Sequence, residues 1–154
     1  MSAALEHPVA GFRRMIEQDL PAIVDIERRS YQFPWTRNIF LDCLRHGHSA
    51  WVLEMEQGII GYGVMSVLVQ ECHILNLCVD PDYRGQGNGR QLLEELLIIA
   101  RVHEADSAFL EVRTSNFQAL ALYLSEGFRE IGTRRNYYPS QLGREDAVIL
   151  AKRL

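Results

Sequence analysis

The segment Arg84-Gly85-Gln86-Gly87-Asn88-Gly89-Arg90 lies between a run of strand-like residues and a long amphipathic stretch, and it constrains this chain more than any other feature. Three alternating glycines let the backbone turn its N–H groups to one side, with no Cβ to block a close ligand. A helix starting directly behind them adds its positive dipole end and the N–H groups of a first turn. Such a bend is an anion cradle suited to a pyrophosphate. Leu92, Leu93, Leu96, Leu97 and Ala100 follow at helical spacing and give that helix one apolar face to lay on a sheet. A dinucleotide fold would need Gly-x-Gly-x-x-Gly after the first strand of a parallel unit, and a P-loop would need Gly-Lys-Ser or Gly-Lys-Thr. Here the loop is mid-chain, its glycine spacing differs and no such lysine follows. The remaining alternative from residues alone is a plain flexible turn.

The elements around the loop narrow the fold. Phe12 to Met15 reads as a first strand, and Asp19-Leu20-Pro21 as the capped start of a helix continued by Ile23, Val24, Ile26 and Glu27. Phe33-Pro34-Trp35 breaks the chain, because a residue before proline avoids helix, and Thr36 caps a second helix through Phe40, Leu41 and Leu44. Ala50 to Met55 and Ile59 to Val69 are strands joined by a hairpin at Gln57-Gly58, and Cys72 to Val79 completes a meander that Asp80-Pro81-Asp82 stops. Ala108 to Val112 is a strand, Asn116 to Ser125 a helix closed by Gly127, and Phe128 to Thr133 and Ala147 to Leu150 are the last strands. An antiparallel front half followed by a βαβ unit implies an α+β sandwich, a mixed sheet of about seven strands flanked by about four helices.

Composition sets the outer limits. A chain of 154 residues fits one domain, expected over residues 10–154 behind a flexible tail over residues 1–9. The net charge of −4 argues against broad nucleic-acid binding and permits attraction of a basic peptide. Cys43, Cys72 and Cys78 have no Cys-x-x-Cys spacing, so reduced core thiols and no metal are expected, in a cytoplasmic protein. No apolar run is long enough to cross a membrane. Oligomeric state is expected as monomer or weak dimer.

Two residues stand out as chemical candidates. Glu111 lies within the apolar strand Ala108-Phe109-Leu110-Glu111-Val112-Arg113; it is either an edge-strand residue facing solvent or paired with Arg113, or it serves as a general base. Tyr123, on the helix Ala119-Leu120-Ala121-Leu122-Tyr123, reads alone as a core tyrosine. Asn116 precedes it by two helical turns, which sets both on one face.

The segment Val79 to Gly89 resembles the acetyl-CoA loop of the GNAT acetyltransferases, whose pattern is Gln or Arg, two residues, Gly, one residue, then Gly or Ala. Arg84, Gly87 and Gly89 match it. The resemblance implies that backbone amides of Arg84, Gly85, Gln86, Gly87, Asn88, Gly89 and Arg90 hold the pyrophosphate of acetyl-CoA. It implies that Leu77 and Val79 lend main-chain groups to the pantetheine arm and thioester carbonyl. Leu122-Tyr123-Leu124-Ser125-Glu126-Gly127-Phe128 is similar to the family's tyrosine-bearing helix end, which implies that Tyr123 protonates the departing thiolate and Asn116 bonds the pantetheine. Glu111 would then be the general base, directly or through a water.

Within the family, Tyr31-Gln32-Phe33-Pro34-Trp35, Arg134-Arg135-Asn136-Tyr137-Tyr138-Pro139 and Gly143-Arg144-Glu145-Asp146-Ala147 resemble the branch that acetylates the N-terminal alanine of a ribosomal protein, number eighteen of the small subunit. That resemblance implies a peptide groove walled by Phe33, Trp35, Tyr137 and Tyr138, without deciding which of the two tyrosines touches the peptide. Glu27, Glu145 or Asp146 could meet a basic peptide, or Asp146 could only cap the last hairpin. The competing expectations are acetylation of another protein N-terminus, a lysine or a small amine, and a non-catalytic acetyl-CoA sensor.

Overall fold

The computed structural model describes residues 11–154, so the expected tail over residues 1–9 lies outside the described residues. Among the described residues, seven strands and four α-helices follow in the expected order. They are β1 (Gly11–Arg14), α1 (Leu20–Ser30), α2 (Arg37–Arg45), β2 (Ser49–Met55), β3 (Gly58–Leu68), β4 (Glu71–Val79), α3 (Asn88–Val102), β5 (Ser107–Arg113), α4 (Phe117–Ser125), β6 (Arg129–Ser140) and β7 (Gly143–Arg153). The sheet order is β1-β2-β3-β4-β5-β7-β6. β1 runs antiparallel to β2, while β4 and β5, joined through α3, are parallel. β5, β7 and β6 then pair antiparallel, so the sheet is mixed as the order of elements implies.

The chain divides into two compact units. The first takes the described residues through Val64 together with Asn76–Leu96. Its core gathers Leu53, Ile60, Val79 and Leu92, against which Phe12, Met55, Leu77 and Tyr83 pack. Helix α3 approaches β3 so closely that a Cβ on Gly63 would stand 2.5 Å from Leu96 Cδ1. Leu92, Leu93 and Leu96 are fully buried, each contributing roughly 1.5–3 kcal/mol by leaving water. The apolar stripe read from the sequence is therefore the packed face of α3.

The second unit takes Met65–Leu75 and Leu97–Leu154. Along β5, Ala108, Leu110 and Val112 are buried, while Ser107, Phe109, Glu111 and Arg113 point to the other face. β5 has β4 on one side, from Glu71↔Ser107 to Ile74↔Leu110, and β7 on the other, where Glu111 stands opposite Ile149. Glu111 is therefore on an interior strand, not an edge. Helix α4 closes as expected at Gly127, whose φ of +93° favours glycine, with Phe128 N–H returning to the Tyr123 carbonyl at 3.0 Å.

Three local readings are corrected. Asp19 precedes α1 but makes no cap bond to it; its carboxylate instead accepts Ile16 N–H at 2.8 Å and a bidentate Arg13 at 2.9 Å. The β2–β3 turn falls at Glu56-Gln57, with Gly58 already in β3. The strand expected to end at Thr133 continues to Ser140, through a register shift between Arg134 and Tyr138 where Asn136 takes φ +52°. Asp146 Oδ1 accepts the Asn136 N–H there at 2.9 Å, so this side chain ties the bulged hairpin.

Cys43, Cys72 and Cys78 are free and buried, and burial pushes the Cys72 thiol up to about 11. Among the described residues no helix is long and apolar enough to cross a membrane, and no cluster of side chains is arranged to hold a metal.

Candidate active site

The glycine loop belongs to the first unit. Gly85 and Gly87 adopt φ of +73° and +83°, where an L side chain is strained, and nothing lies within 4 Å of the position their Cβ atoms would take. Glycine is thus required by backbone conformation, and the loop's surface opens on space a ligand could occupy. Gly89 differs from the sequence reading: it sits in the first turn of α3. The α3 ladder begins with Gln91 N–H donating to the Gly87 carbonyl at 3.1 Å, so the helix starts in the loop itself.

Three side chains brace this bend. Arg84 Nε donates to the Val79 carbonyl at 2.9 Å, and Asn88 Nδ2 donates to the Tyr83 carbonyl at 2.9 Å. Asp80, where β4 ends, accepts Asp82 N–H at 2.9 Å and a two-pronged Arg29 at 3.0 and 2.8 Å. The Leu77 carbonyl accepts the Tyr31 hydroxyl at 3.3 Å. The carbonyls of both Leu77 and Val79 therefore have internal donors, and the Val79 oxygen also accepts the Cys78 thiol at 3.8 Å. The Arg29–Asp80 clamp escaped the sequence reading because its partners are 51 positions apart.

That clamp has a measurable pH signature. The Arg29 guanidinium holds the Asp80 carboxyl below its ordinary value, although partial burial opposes this. A carboxyl depressed on folding contributes stability above its unfolded value, and loses it as pH falls through the folded value. Asp80→Asn is expected to lower stability by about 1–2 kcal/mol at pH 7, since the 39% exposed Arg29 is rehydrated rather than stranded. Urea unfolding from pH 6 down to pH 2 checks it: the variant's stability should fall less steeply with acid than the parent's.

Also in the first unit, Glu27 is 2% exposed and fully engaged. Its Oε1 accepts the Tyr62 hydroxyl at 2.6 Å and Asn76 Nδ2 at 3.1 Å, and its Oε2 accepts Trp35 N–H at 2.9 Å. It cannot meet a peptide; it fastens the Phe33-Pro34-Trp35 bend to the core. Phe33 is 41% exposed, whereas Trp35 is half-buried against Phe40.

The second unit holds the acid–base candidates. The Glu111 side chain is 9% exposed; its Oε1 lies 2.7 Å from His73 Nε2, and its Oε2 3.7 Å from an Arg134 nitrogen. The expected alternative partner, Arg113, instead donates to Glu145 at 3.2 Å and to the Pro139 carbonyl at 2.8 Å. Glu145 also accepts Thr114 Oγ1 and Ser115 N–H, which hold its carboxyl below the usual range, with the Ser115 bonds leading. Glu27, Glu145 and Asp146 are thus all tied to internal donors, Asp146 in the hairpin-capping role that the sequence offered as its alternative.

Tyr138 is half-buried with Arg113 over its ring at 4.5 Å, and Tyr137 is more exposed with Arg134 over its ring at 4.4 Å. Burial above all, then the neighbouring Tyr137 and the negative charge of Glu111, push the Tyr138 hydroxyl up. Tyr123 is 7% exposed, edge-on to Phe128 at 5.7 Å. Asn116 is the cap of α4, its Oδ1 accepting Ala119 N–H at 3.2 Å, which leaves its amide nitrogen for any pantetheine contact. His73 and Arg134 were missed as site residues. Both come to Glu111 through strand register, which no local motif encodes.

The pattern of the acetyltransferase (GNAT) family matches residues 12–128. The chain is 41% identical over 133 residues to the [ribosomal protein bS18]-alanine N-acetyltransferase of Escherichia coli strain K12, covering 86% of this chain and 90% of that one. The crystal structure of the Escherichia coli ribosomal-protein-S18-alanine N-acetyltransferase superposes with a TM-score of 0.87 at 38% identity, covering 94% of this chain and 93% of the other. A Sinorhizobium meliloti phosphinothricin acetyltransferase in complex with AcCoA shares the fold, with a TM-score of 0.80 at 21% identity over 95% of this chain and 89% of the other.

Proposed function

Because the chain belongs to the acetyltransferase (GNAT) family and is an N-acetyltransferase, we propose that it transfers an acetyl group from acetyl-CoA to the α-amine of the N-terminal alanine of ribosomal protein bS18. The observation that carries this reading is the 41% identity to a bS18-alanine N-acetyltransferase over nearly the whole of both chains. Residues 10–154 act as one catalytic domain, on an N-terminal peptide rather than a nucleic acid or a membrane.

The amine sets the chemical problem. An α-amine has a pKa near about 7.7–8.0 against about 10.4 for lysine, so at neutral pH its nucleophilic form is roughly 300-fold more abundant. A modest base therefore suffices. Glu111 takes the proton from the α-ammonium, and the amine attacks the acetyl carbonyl carbon. The C–S bond breaks, and Tyr123 gives the thiolate its proton. Main-chain amides over Arg84 to Arg90 hold the donor's diphosphate, with Leu77, Val79 and the Asn116 amide along the pantetheine arm. Support comes from the open face at Gly85 and Gly87, the helix start behind them, and a carboxylate kept mostly out of water with two cationic or donor side chains on it. Phe33, Trp35, Tyr137 and Tyr138 contact the peptide.

The test uses acetyl-CoA with a peptide carrying the first residues of bS18, the same peptide with a blocked N-terminus, and a polyamine. One acetyl group added to the free α-amine alone is the expected mass-spectrometric result. Turnover of the polyamine with none of the peptide overturns the substrate assignment.

A further inference from the structure

Glu111 has a partner that the acetyl-transfer chemistry does not require. His73 Nε2 lies 2.7 Å from Oε1, and the imidazole stacks on Phe109 at 4.4 Å with an interplanar angle of 18°. His73 and Glu111 sit on adjacent parallel strands, where the register sets His73 beside Phe109, two positions before Glu111. An ionised carboxylate has no proton to give, so the proton in this contact belongs to Nε2 and the ring donates. Stacking fixes the ring plane, and the ring in turn fixes the carboxylate. Arg134, 3.7 Å from Oε2, is too far for a hydrogen bond, so Oε2 keeps a lone pair for an incoming proton.

We propose that His73 is the positioning residue of this enzyme, holding Glu111 with Oε2 ready for the amine's proton, and that the charge on its ring switches that readiness off in acid. This rests on Glu111 being the base, as argued above. In the step itself the ammonium N–H bond breaks and an O–H bond forms on Oε2, while His73 keeps its own proton. Of the two protons the ammonium loses on becoming an amide, one ends on the thiol and the other leaves to solvent.

The switch follows from charge. Imidazoles change charge between about pH 5 and 8. With a neutral ring, Glu111 faces one full cation, Arg134. With an imidazolium 2.7 Å away it faces two, its affinity for a proton falls, and the amine keeps its own. Around the pair lie Arg134, 3.7 Å from Glu111, and Tyr138 on β6, with Arg113 two positions along β5 and Glu71 two positions along the histidine's own strand. Of these, Arg113 is bound to Glu145.

Three variants, each checked for its thermal midpoint, separate the possibilities in steady-state assays with acetyl-CoA and the bS18 N-terminal peptide from pH 5.5 to 9. His73→Phe keeps the stack on Phe109 but has no N–H; its kcat is expected to drop about tenfold across the range, with the KM for acetyl-CoA unchanged. His73→Gln supplies a neutral N–H that never charges. It is expected to restore kcat at pH 8.5 to within about threefold of the parent and to move the acid limb about one unit lower. The peptide is the same throughout, so its own α-amine cancels from the comparison. An acid limb unmoved in His73→Gln overturns the switch, and parental kcat in His73→Phe overturns the positioning role. Glu111→Gln tells these failures apart from failure of the base: parental rates there remove Glu111 itself, whereas a crippled Glu111→Gln beside normal His73 variants removes only His73.

Discussion

Replacing Glu111 with glutamine is expected to lower kcat by about 10²- to 10⁴-fold at pH 7, the range a positioned acid or base contributes. The amide is nearly the same size as the carboxylate and still offers an oxygen to His73 Nε2, so the strand and its contacts persist while the proton acceptor is lost. The loss should depend on pH in a particular sense. Below about pH 8 most of the α-amine is ammonium and needs a base; above it the amine arrives deprotonated, and the variant recovers part of its rate. A rate profile that climbs with pH toward the amine's own ionisation, against a flatter parental one, is the outcome consistent with a general base. Equal rates at pH 6.5 for parent and variant would remove Glu111 from the mechanism. Because His73 and Arg134 hold the carboxylate, the glutamine variant is expected to unfold within about 1–2 kcal/mol of the parent, which separates lost chemistry from lost fold.

What could be read from the sequence was local, and what could not depended on register. The α3 stripe of Leu92, Leu93, Leu96, Leu97 and Ala100 is buried throughout, because helical spacing alone decides which face meets the sheet. The glycine loop was legible for a similar reason: positive φ at Gly85 and Gly87 is a property of those residues rather than of distant partners. Glu111 could be singled out as a carboxylate among apolar neighbours, yet its partners could not. His73 is 38 positions away and meets it only through the parallel β4–β5 pairing. Glu27 was misread for the opposite reason. It sits on an amphipathic helix where an acid would ordinarily face water, but Tyr62, Asn76 and the Trp35 amide supply three donors that make its burial tolerable. The second half of β6 was hidden by its polarity. Arg134, Arg135 and Asn136 break the alternation that marks a strand, and the bulge that re-aims the chain there also brings Arg134 to Glu111 and Tyr138 opposite Glu145. The segment Arg134 to Pro139, outside the strand expected to end at Thr133, is part of β6 and carries the two tyrosines on a hydrogen-bonded frame.

Tyr123→Phe is the second large effect, expected to lower kcat by about 10- to 100-fold while the affinity for acetyl-CoA stays near parental. The bound on its size comes from the leaving group. A thiol has a pKa near about 8.5, so the thiolate is a weak base and can depart without full protonation; a general acid then gains less than the base that prepares the amine. Phenylalanine keeps the ring and its edge-on contact with Phe128 at 5.7 Å, so the helix end closed by Gly127 has no packing reason to move. Calorimetry with coenzyme A and kcat measured with the bS18 peptide divide the possible roles. A normal dissociation constant with a slowed kcat assigns the hydroxyl to chemistry. A raised dissociation constant with normal kcat makes Tyr123 a binding residue, and no change in either returns it to the core. The defect should also shrink as pH rises past the thiol's ionisation, because the thiolate then needs no proton. Glu111→Gln is likewise expected to recover with rising pH, but toward the lower ionisation of the amine. The two variants should therefore trace recovery curves displaced by roughly half a pH unit or more, and coincident curves would mean that one proton transfer, not two, limits the reaction.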